Sequence, residues 1–354
     1  MEKIMEKINL MNDYNTTCHP KVLEAIREVS DKRFVGYGLD AECERAADVV
    51  RQMIGNPDAF VQFMPGGTQT NLTAVSAFLR PHEAVIAPGS AHIYVHETGA
   101  IEATGHKVLT VPPINGKINA EDVRSVCEAH TDEHMVKPKL LYISQTTELG
   151  TVYTKAELTA LRNVCDVYDL YFYIDGARLG YAIASELCDF QLNELAGLAD
   201  AFYIGGTKNG LLFGEALVIC NLSLASDFRF LVKQHGGLLS KGFLLGIQFL
   251  ALFEDELYFD LARQSNAAAA KLTEGLKNKG LSFLTVTETN QVFPIVSEAT
   301  LKRLEEKIHF EVWAGAGRVA GEKFTPIRFV TTWLTADEEI EAVLDLIKLK
   351  KTIF

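Results

Sequence analysis

Two residues with reactive side chains stand directly after apolar runs of the sequence. Lys208 follows the run 201–204 in a glycine-rich loop, and Asp175 follows the run 170–174 and precedes Gly176. A lysine in such a loop can bind phosphate as a point charge, or form a Schiff base when its neighbours lower its pKa. A buried carboxylate at a strand end needs a positive or hydrogen-bonding partner. Taken singly, ordinary turn or helix-cap roles explain both residues as well.

A possible anion site precedes them in segment 63–71, which reads Phe-Met-Pro-Gly-Gly-Thr-Gln-Thr-Asn. The pattern predicts a strand that passes through two glycines into a helix capped by Thr68. Free amides at a helix N-terminus and the helix dipole both favour phosphate. The segment is not a P-loop, because it lacks the Gly-Lys-Ser/Thr sequence. A plain strand-to-helix turn explains the same residues.

Two histidines, His92 and His96, lie four positions apart, and Glu97 follows the second. This spacing can ligate zinc, but the His-Glu-x-x-His pattern is absent and no third ligand follows. No metal site is therefore predicted. A histidine here can instead cover a flat ring, and solvated or capping histidines are the ordinary explanation.

Short apolar runs alternate with amphipathic stretches between residues 20 and 220, a pattern typical of a βαβ sheet with helices on both faces. The predicted strands are 84–87, 140–143, 170–174, 201–204 and 216–219. The clearest predicted helices are 120–129, with Asn119 as a cap, and 155–168. We expect an α/β fold with parallel strands joined by crossover helices, and Asp175 and Lys208 at strand ends where such sheets bind ligands.

The pattern changes at 233–237, where a hinge or domain boundary is predicted before a long helical stretch, 243–276. Strand-like pieces at 281–286, 291–296 and 327–330 follow, with helices at 298–307 and 336–348. These elements predict a small α+β C-terminal domain. The predicted division is an N-terminal segment 1–19, a large domain 20–235, and a small domain 236–354 that includes the connecting helix.

Composition excludes several classes of protein. The chain has 354 residues, of which 48% are hydrophobic and 23% charged, and its net charge is −12. We therefore expect a globular protein and no nucleic-acid partner, since the stretch 348–351 is the only dense basic run. Six cysteines without Cys-x-x-Cys spacing predict reduced thiols and a cytoplasmic location. No signal peptide and no membrane span are predicted, because no apolar run is long enough.

The order of these features along the chain resembles the fold type I enzymes that use pyridoxal 5'-phosphate (PLP). A Gly-Gly-Thr loop comes first, followed by a helix with histidine, a strand ending in Asp-Gly-Ala-Arg, and a strand leading to Gly-Thr-Lys. The sequence looks most similar to the threonine aldolase and β-eliminating lyase family, from about Asp13 to the C-terminus. The resemblance implies a PLP-transferase-like fold: a mostly parallel sheet with helices on both faces and a small α+β C-terminal domain.

The resemblance also implies roles for the residues of the large domain. Lys208 would hold the cofactor as an imine, and Asp175 would pair with its pyridine nitrogen, which strengthens the ring as an electron sink. His92 would stack on the ring. Gly67 and Thr68 would bind the phosphate.

For the substrate, the resemblance implies that Arg328 clamps the carboxylate, which suits the bidentate geometry of arginine. Arg178 would sit beside the cofactor ring. Asp13 stands where the family has Ser-Asp-Thr, and Tyr37 matches a family tyrosine near the neighbouring subunit's site. These two residues and His96 would also bind the substrate. The family's phosphate-binding arginine is absent, and Lys241 is the nearest cation.

One departure concerns a family histidine that contacts the substrate hydroxyl. Where the family carries a histidine in an Asn-Thr-His motif, segment 145–148 of this chain reads Gln-Thr-Thr-Glu. The candidate bases are therefore His92, His96 or an ordered water.

The expected reaction is cleavage of L-threonine, L-allo-threonine or a related β-hydroxy-α-amino acid to glycine and an aldehyde. The alternatives are β-elimination or transamination of another amino acid, and a catalytically silent PLP-fold protein that only binds. A homodimer or homotetramer is expected, in which Tyr37 and Lys241 would serve a neighbour's site.

Overall fold

The computed structural model describes residues 7–313 and 324–347 of the chain. The basic stretch 348–351, and with it the predicted end of the last helix at Lys348, lies outside the described residues. So do residues 1–6 of the predicted N-terminal segment.

The secondary structure consists of short strands and helices in alternation. The strands are β1 (Ile8–Asn9), β2 (Phe60–Met64), β3 (Glu83–Pro88), β4 (Lys107–Val111), β5 (Lys137–Ser144), β6 (Tyr171–Asp175), β7 (Ala201–Gly205), β8 (Glu215–Ile219), β9 (Ser282–Phe283), β10 (Gln291–Val292), β11 (Pro294–Ser297), β12 (Ile308–His309), β13 (Glu311–Val312) and β14 (Phe324–Val330). The helices are α1 (Pro20–Glu28), α2 (Ala41–Met53), α3 (Gly67–Phe78), α4 (His92–Val95), α5 (Ala100–Ala103), α6 (Ala120–Ala129), α7 (Lys155–Val167), α8 (Leu179–Ile183), α9 (Leu192–Leu198), α10 (Phe228–Gln234), α11 (Phe243–Phe253), α12 (Leu257–Asn278), α13 (Glu298–Lys307) and α14 (Asp337–Asp345). Two 3₁₀ turns lie at Leu222–Leu224 and Glu254–Glu256.

The central sheet has seven strands in the order β2-β8-β7-β6-β5-β3-β4. Strands β4, β3, β5, β6 and β7 run parallel to one another. Successive side chains point to opposite faces, so Ile86 and Phe172 join one apolar cluster, and Val85 and Tyr173 join the other. Helices cover both faces, and the α/β fold with a mostly parallel sheet is confirmed.

The prediction that the strand at 216–219 also runs parallel is wrong. This strand, β8, is antiparallel to both of its neighbours, β7 and β2. The connection from β7 to β8, residues 206–214, is shorter than the dozen or so residues that a parallel crossover needs. The short loop therefore reverses the chain, and it carries Lys208 at its turn.

The structure confirms one of the two N-terminal helix caps predicted from the sequence and not the other. The predicted cap Asn119 accepts hydrogen bonds from the amides of Glu121 and Asp122 and completes a capping box. Thr68, in contrast, is not a cap. Helix α3 begins two residues earlier than a Thr68 cap implies, at Gly67, with extended Gly66 before it and no side-chain cap. The amides of the first turn are thus left without a side-chain acceptor.

The long helix predicted over 243–276 is interrupted. Helix α11 ends at Phe253 and α12 begins at Leu257, because Asp255 and Glu256 adopt left-handed backbone angles with φ of 52° and 59°. The two helices pack against different parts of the molecule. Helix α11 is apolar on nearly all sides and is buried in the apolar core on one face of the central sheet. One face of α12 packs into a separate apolar core in the C-terminal part of the chain.

The C-terminal part forms a second sheet in the order β10-β14-β11-β9, with β13 also paired to β14. Its core includes Leu272, Ile327 and Ile340. The predicted strand 281–286 shortens to Ser282–Phe283. The N-terminal strand β1 pairs in parallel with β12, so the start of the chain packs against the C-terminal part. The domain boundaries after residues 19 and 235 stay predictions.

Strands β6 and β7 approach each other closely just where Asp175 and Lys208 follow. The Gly205 amide donates to the Gly176 carbonyl at 2.9 Å. A Cβ atom added at Gly176 would lie 1.6 Å from the carbonyl oxygen of Tyr203. The strand ends can therefore meet only because position 176 has no side chain.

We expect Gly176→Ala to lower the free energy of unfolding by about 3 kcal/mol, because the methyl group forces the two strand ends apart. Urea unfolding followed by circular dichroism measures the change. The matched control is Gly197→Ala in α9, where an added Cβ meets nothing within 4 Å. This control should gain up to about 1 kcal/mol from helix propensity. Equal stability of the two variants would contradict the close approach.

Candidate active site

The carboxyl ends of β5, β6 and β7 and the N-terminus of α3 surround a cavity of about 260 Å³. Six residues predicted from the sequence line it together: Gly67, Thr68, His92, Asp175, Arg178 and Lys208. Asp13, Tyr37, His96, Lys241 and Arg328 do not line it. The predicted residues of the large domain therefore meet in one place.

The Asp175 carboxylate lies buried at the end of β6 with four hydrogen-bond donors. Tyr142 and Asn71 donate to Oδ2 at 2.6 and 2.9 Å, and Tyr203 and the Ala177 amide donate to Oδ1 at 2.6 and 2.9 Å. Burial acts to raise the pKa of Asp175, but the hydrogen bonds outweigh it and hold the pKa below its usual value. Asp175 is thus a permanent negative charge in the cavity wall.

Lys208 presents an amine without a partner. Its Nζ makes no hydrogen bond or ion pair within residues 7–313 and 324–347. Burial, together with the charge of Arg178, lowers the pKa of Lys208. The lysine loop itself is fixed, since the Tyr181 hydroxyl donates to the Lys208 carbonyl and the Asn209 side chain donates to the Tyr258 carbonyl. A held amine with a lowered pKa is suited to attack a carbonyl carbon.

Glu215, at the start of β8, also lines the cavity, and its Oε2 accepts the Gly206 amide at 3.0 Å. Burial raises the pKa of its carboxyl to about 7, although the nearby Lys208 charge acts in the opposite direction. This acid therefore faces into the lysine loop.

His92 is oriented by a second buried acid. Its Nδ1 lies 2.8 Å from Oε1 of Glu97, and the same oxygen accepts Asn71 Nδ2 at 2.8 Å. Burial acts to lower the pKa of His92, but the bond to Glu97 outweighs it and the net shift is upward. His96 ends α4 outside the cavity, with its ring centroid 5.4 Å from that of His92. Asn71 thus connects the histidine to Asp175.

Arg178 is held by Asp13 in a buried bidentate ion pair, with Nε–Oδ2 and Nη2–Oδ1 distances of 2.7 and 3.0 Å. Asn290 donates to the same carboxylate at 3.0 Å. Burial acts to raise the pKa of Asp13, but the charge and hydrogen bonds of Arg178 lower it to about 2. Asp13 therefore contacts the cavity only through Arg178.

Arg328, on β14, stands beyond the cavity lining. It pairs with Glu311, donates to Gln291 Oε1 at 3.3 Å, and lies over the Trp313 ring at 5.3 Å. Burial and the charge of Arg178 lower the pKa of Arg328. Its buried Nε makes no hydrogen bond to the part of the chain that the structure describes.

Tyr37 and Lys241 are neighbours at the surface. The Tyr37 amide donates to the carbonyl of Ser240 at 3.2 Å, and the Tyr37 side chain is 43% exposed. Lys233 lies over its ring at 4.8 Å. Neither Tyr37 nor Lys241 reaches the cavity of its own chain.

Several residues of the site were not identified from the sequence. Tyr142 and Tyr203 lie within apolar runs that predict strands, and the signal that could have revealed them is that a buried tyrosine hydroxyl needs a partner. Asn71 lies one turn after Gly67 on α3 and faces the same cavity. Glu148 lies in the segment that departs from the family motif. No group of three or more potential metal ligands occurs in the described ranges.

Comparisons with known proteins agree with this geometry. The sequence model of a family described as beta-eliminating lyase matches residues 9–299. The chain is 32% identical to a low specificity L-threonine aldolase of Pseudomonas aeruginosa over 95% of this chain and 94% of that protein. It is 43% identical to a solved Leishmania major threonine aldolase, with a TM-score of 0.93 over 96% and 98% of the chains.

A mutant Thermus thermophilus aspartate aminotransferase is 17% identical with a TM-score of 0.70 over 96% and 91% of the chains, which shows the shared fold alone. The fold and the lysine-aspartate cavity thus define a PLP-dependent enzyme of fold type I. The chain belongs to the beta-eliminating lyase family and is similar to its threonine aldolases. Within the described residues no helix is long and apolar enough to span a bilayer.

We expect Asp13→Asn to lower the free energy of unfolding at pH 7 by about 3 kcal/mol, because it leaves the buried Arg178 charge unpaired. The folded-state pKa of Asp13, about 2, lies below its ordinary value of 3.8. The stabilisation is thus complete above that value and is lost as pH falls toward 2. Urea unfolding of both proteins between pH 7 and pH 3 should show their difference shrinking at the acid end.

Asp255→Asn is the control, because its ion pair with Lys21 is largely exposed. Removing that pair should cost less than about 1 kcal/mol. An Asp13→Asn protein as stable as this control would refute the role of the buried pair.

Proposed function

We propose that the protein cleaves L-threonine, L-allo-threonine or a related β-hydroxy-α-amino acid to glycine and an aldehyde, with PLP as its cofactor. The unpartnered Lys208 amine, facing a cavity that also contains the ionised Asp175, carries this proposal. The names of the aldolase relatives from Pseudomonas aeruginosa and Leishmania major support the substrate class.

The residues around the cavity fit the cofactor. Lys208 would attach it through an imine, and Asp175, kept ionised by its hydrogen bonds, would hold a proton on the pyridine nitrogen. The unsatisfied amides at Gly67 and Thr68 would bind the phosphate. The flat ring of His92, fixed through Nδ1 by Glu97, would cover one face of the cofactor. When bound, PLP supplies an electron sink for negative charge at the substrate Cα.

The two arginines are suited to the substrate carboxylate. Arg178 reaches the cavity and keeps its orientation through Asp13. Arg328 has a buried Nε without a partner among residues 7–313 and 324–347. Its Glu311 contact is partly exposed and can be replaced by a substrate carboxylate. A planar guanidinium held in place binds a carboxylate through two parallel hydrogen bonds.

The assembly would be a homodimer or homotetramer. Tyr37 and Lys241 lie side by side, away from the cavity of their own chain, and exposed Val35, Leu39 and Phe230 provide apolar surface. A neighbouring subunit's phosphate could then be bound by Lys241. The location would be cytoplasmic, which six free cysteine thiols support.

The first test is Lys208→Ala. The purified wild type incubated with PLP should absorb in the visible range as a lysine-bound cofactor and release glycine from threonine stereoisomers. The variant should lose both properties, while Lys302→Ala, a change at an exposed residue, should keep them. A wild type that stays colourless, or that forms only β-elimination or transamination products, would contradict the proposal.

The second test concerns the carboxylate. Arg328→Lys should raise KM for threonine about tenfold or more, because a lysine cannot replace a bidentate contact worth roughly 1.5–3 kcal/mol. The cofactor absorbance should not change. Arg124→Lys, at an exposed position, is the control. An unchanged KM would assign carboxylate binding to Arg178 alone.

A further inference from the structure

Glu148 is a buried acid of the cavity to which neither cofactor binding nor carboxylate binding gives a role. It is 9% exposed and lines the cavity together with His92 and Lys208. Ser144 donates to its Oε1 at 3.2 Å. Its other oxygen makes no hydrogen bond within the described ranges. This oxygen of Glu148 is therefore available to a molecule that enters the cavity.

The position of Glu148 is central among the groups that would surround a substrate. Burial has the largest effect on the pKa of His92, Lys208 and Arg178, but the charge of Glu148 also acts on all three. It also acts on Arg328. The carboxylate is thus within electrostatic reach of the amine and of both arginines.

The other proton acceptors near the cavity are committed elsewhere. Both oxygens of Asp175 receive hydrogen bonds, and the ring of His92, fixed through Nδ1 by Glu97, has the proposed role of covering the cofactor. His96 does not line the cavity. Glu215 is turned toward the Gly206 amide of the lysine loop.

We propose that Glu148 is the catalytic base that accepts the proton of the substrate β-hydroxyl. This inference rests on the proposed aldolase function. It gives the departure at 145–148 a chemical meaning, since a carboxylate accepts a proton from a hydroxyl as an imidazole does. Ser144 holds the carboxylate in position for this transfer.

Proton transfer to Glu148 accompanies cleavage of the Cα–Cβ bond. The hydroxyl O–H bond breaks, an O–H bond forms on Glu148, and the electron pair left on oxygen becomes the second bond of the aldehyde C=O. The Cα–Cβ bond breaks and its electron pair stays on Cα, where a proton from water adds to give glycine. Glu148 then returns its proton to water. One amino acid yields glycine and one aldehyde, with no net gain or loss of protons.

The test separates this step from the rest of the reaction. Glu148→Gln keeps the size of the side chain and an oxygen for Ser144, so cofactor absorbance and thermal stability should match the wild type. The rate of threonine cleavage should fall about 10²–10⁴-fold. Exchange of the glycine α-hydrogen with D₂O, measured by NMR, needs no β-hydroxyl base and should stay within about threefold of the wild type.

Two further variants complete the experiment. Glu148→Ala should lose cleavage and regain part of it when formate is added, because formate supplies the missing carboxylate. Glu186→Gln, at an exposed acid, should cleave threonine at the wild-type rate.

Three outcomes would overturn the inference: full cleavage by Glu148→Gln, equal loss of glycine exchange and cleavage, or no rescue by formate. The proposed aldolase function fails in a different way. In that case the wild type itself exchanges glycine but cleaves no β-hydroxy amino acid.

Discussion

The buried negative charge of Asp175 is the constraint on which the rest of the site depends. A carboxylate without partners inside a protein would take up a proton, and it would then no longer attract a pyridine nitrogen. Four donors prevent this, and they come from four different segments of the chain. The charge therefore exists only when β5, β6, β7 and α3 are all in register.

The same donors explain why the surrounding residues are arranged as they are. Tyr142 and Tyr203 come from the strands on either side of β6, so the strand order itself delivers their hydroxyl groups to one carboxylate. Asn71 shares its amide between Asp175 and Glu97, and Glu97 in turn orients His92. One hydrogen-bonded network thereby fixes both Asp175, at the edge of a planar ligand, and His92, over its face.

Much of this could be predicted from the sequence, because buried parallel strands are continuous apolar runs and strand ends are where ligands bind. Lys208, Asp175, Arg178 and His92 followed from that reasoning and the family resemblance. The direction of β8 was missed, although the loop before it is too short for a parallel crossover. The interruption after α11 was missed because no glycine or proline marks the left-handed backbone at Asp255 and Glu256. The buried donors to Asp175 were hidden because a tyrosine within an apolar run looks like any other core residue. The contact between Asp13 and Arg178 joins residues too distant in sequence for any local pattern.

The contact between Asp13 and Arg178 also affects how the enzyme folds. Asp13 lies 165 residues before Arg178 and 277 residues before Asn290, yet both of these residues donate to its carboxylate. Closing such long loops is slow, because much chain entropy must be lost before the contacts form. Arg178 is therefore neutralised and fixed only after two segments 165 residues apart have docked. The geometry of the cavity at Arg178 thus depends on contacts between distant segments and not on the central sheet alone.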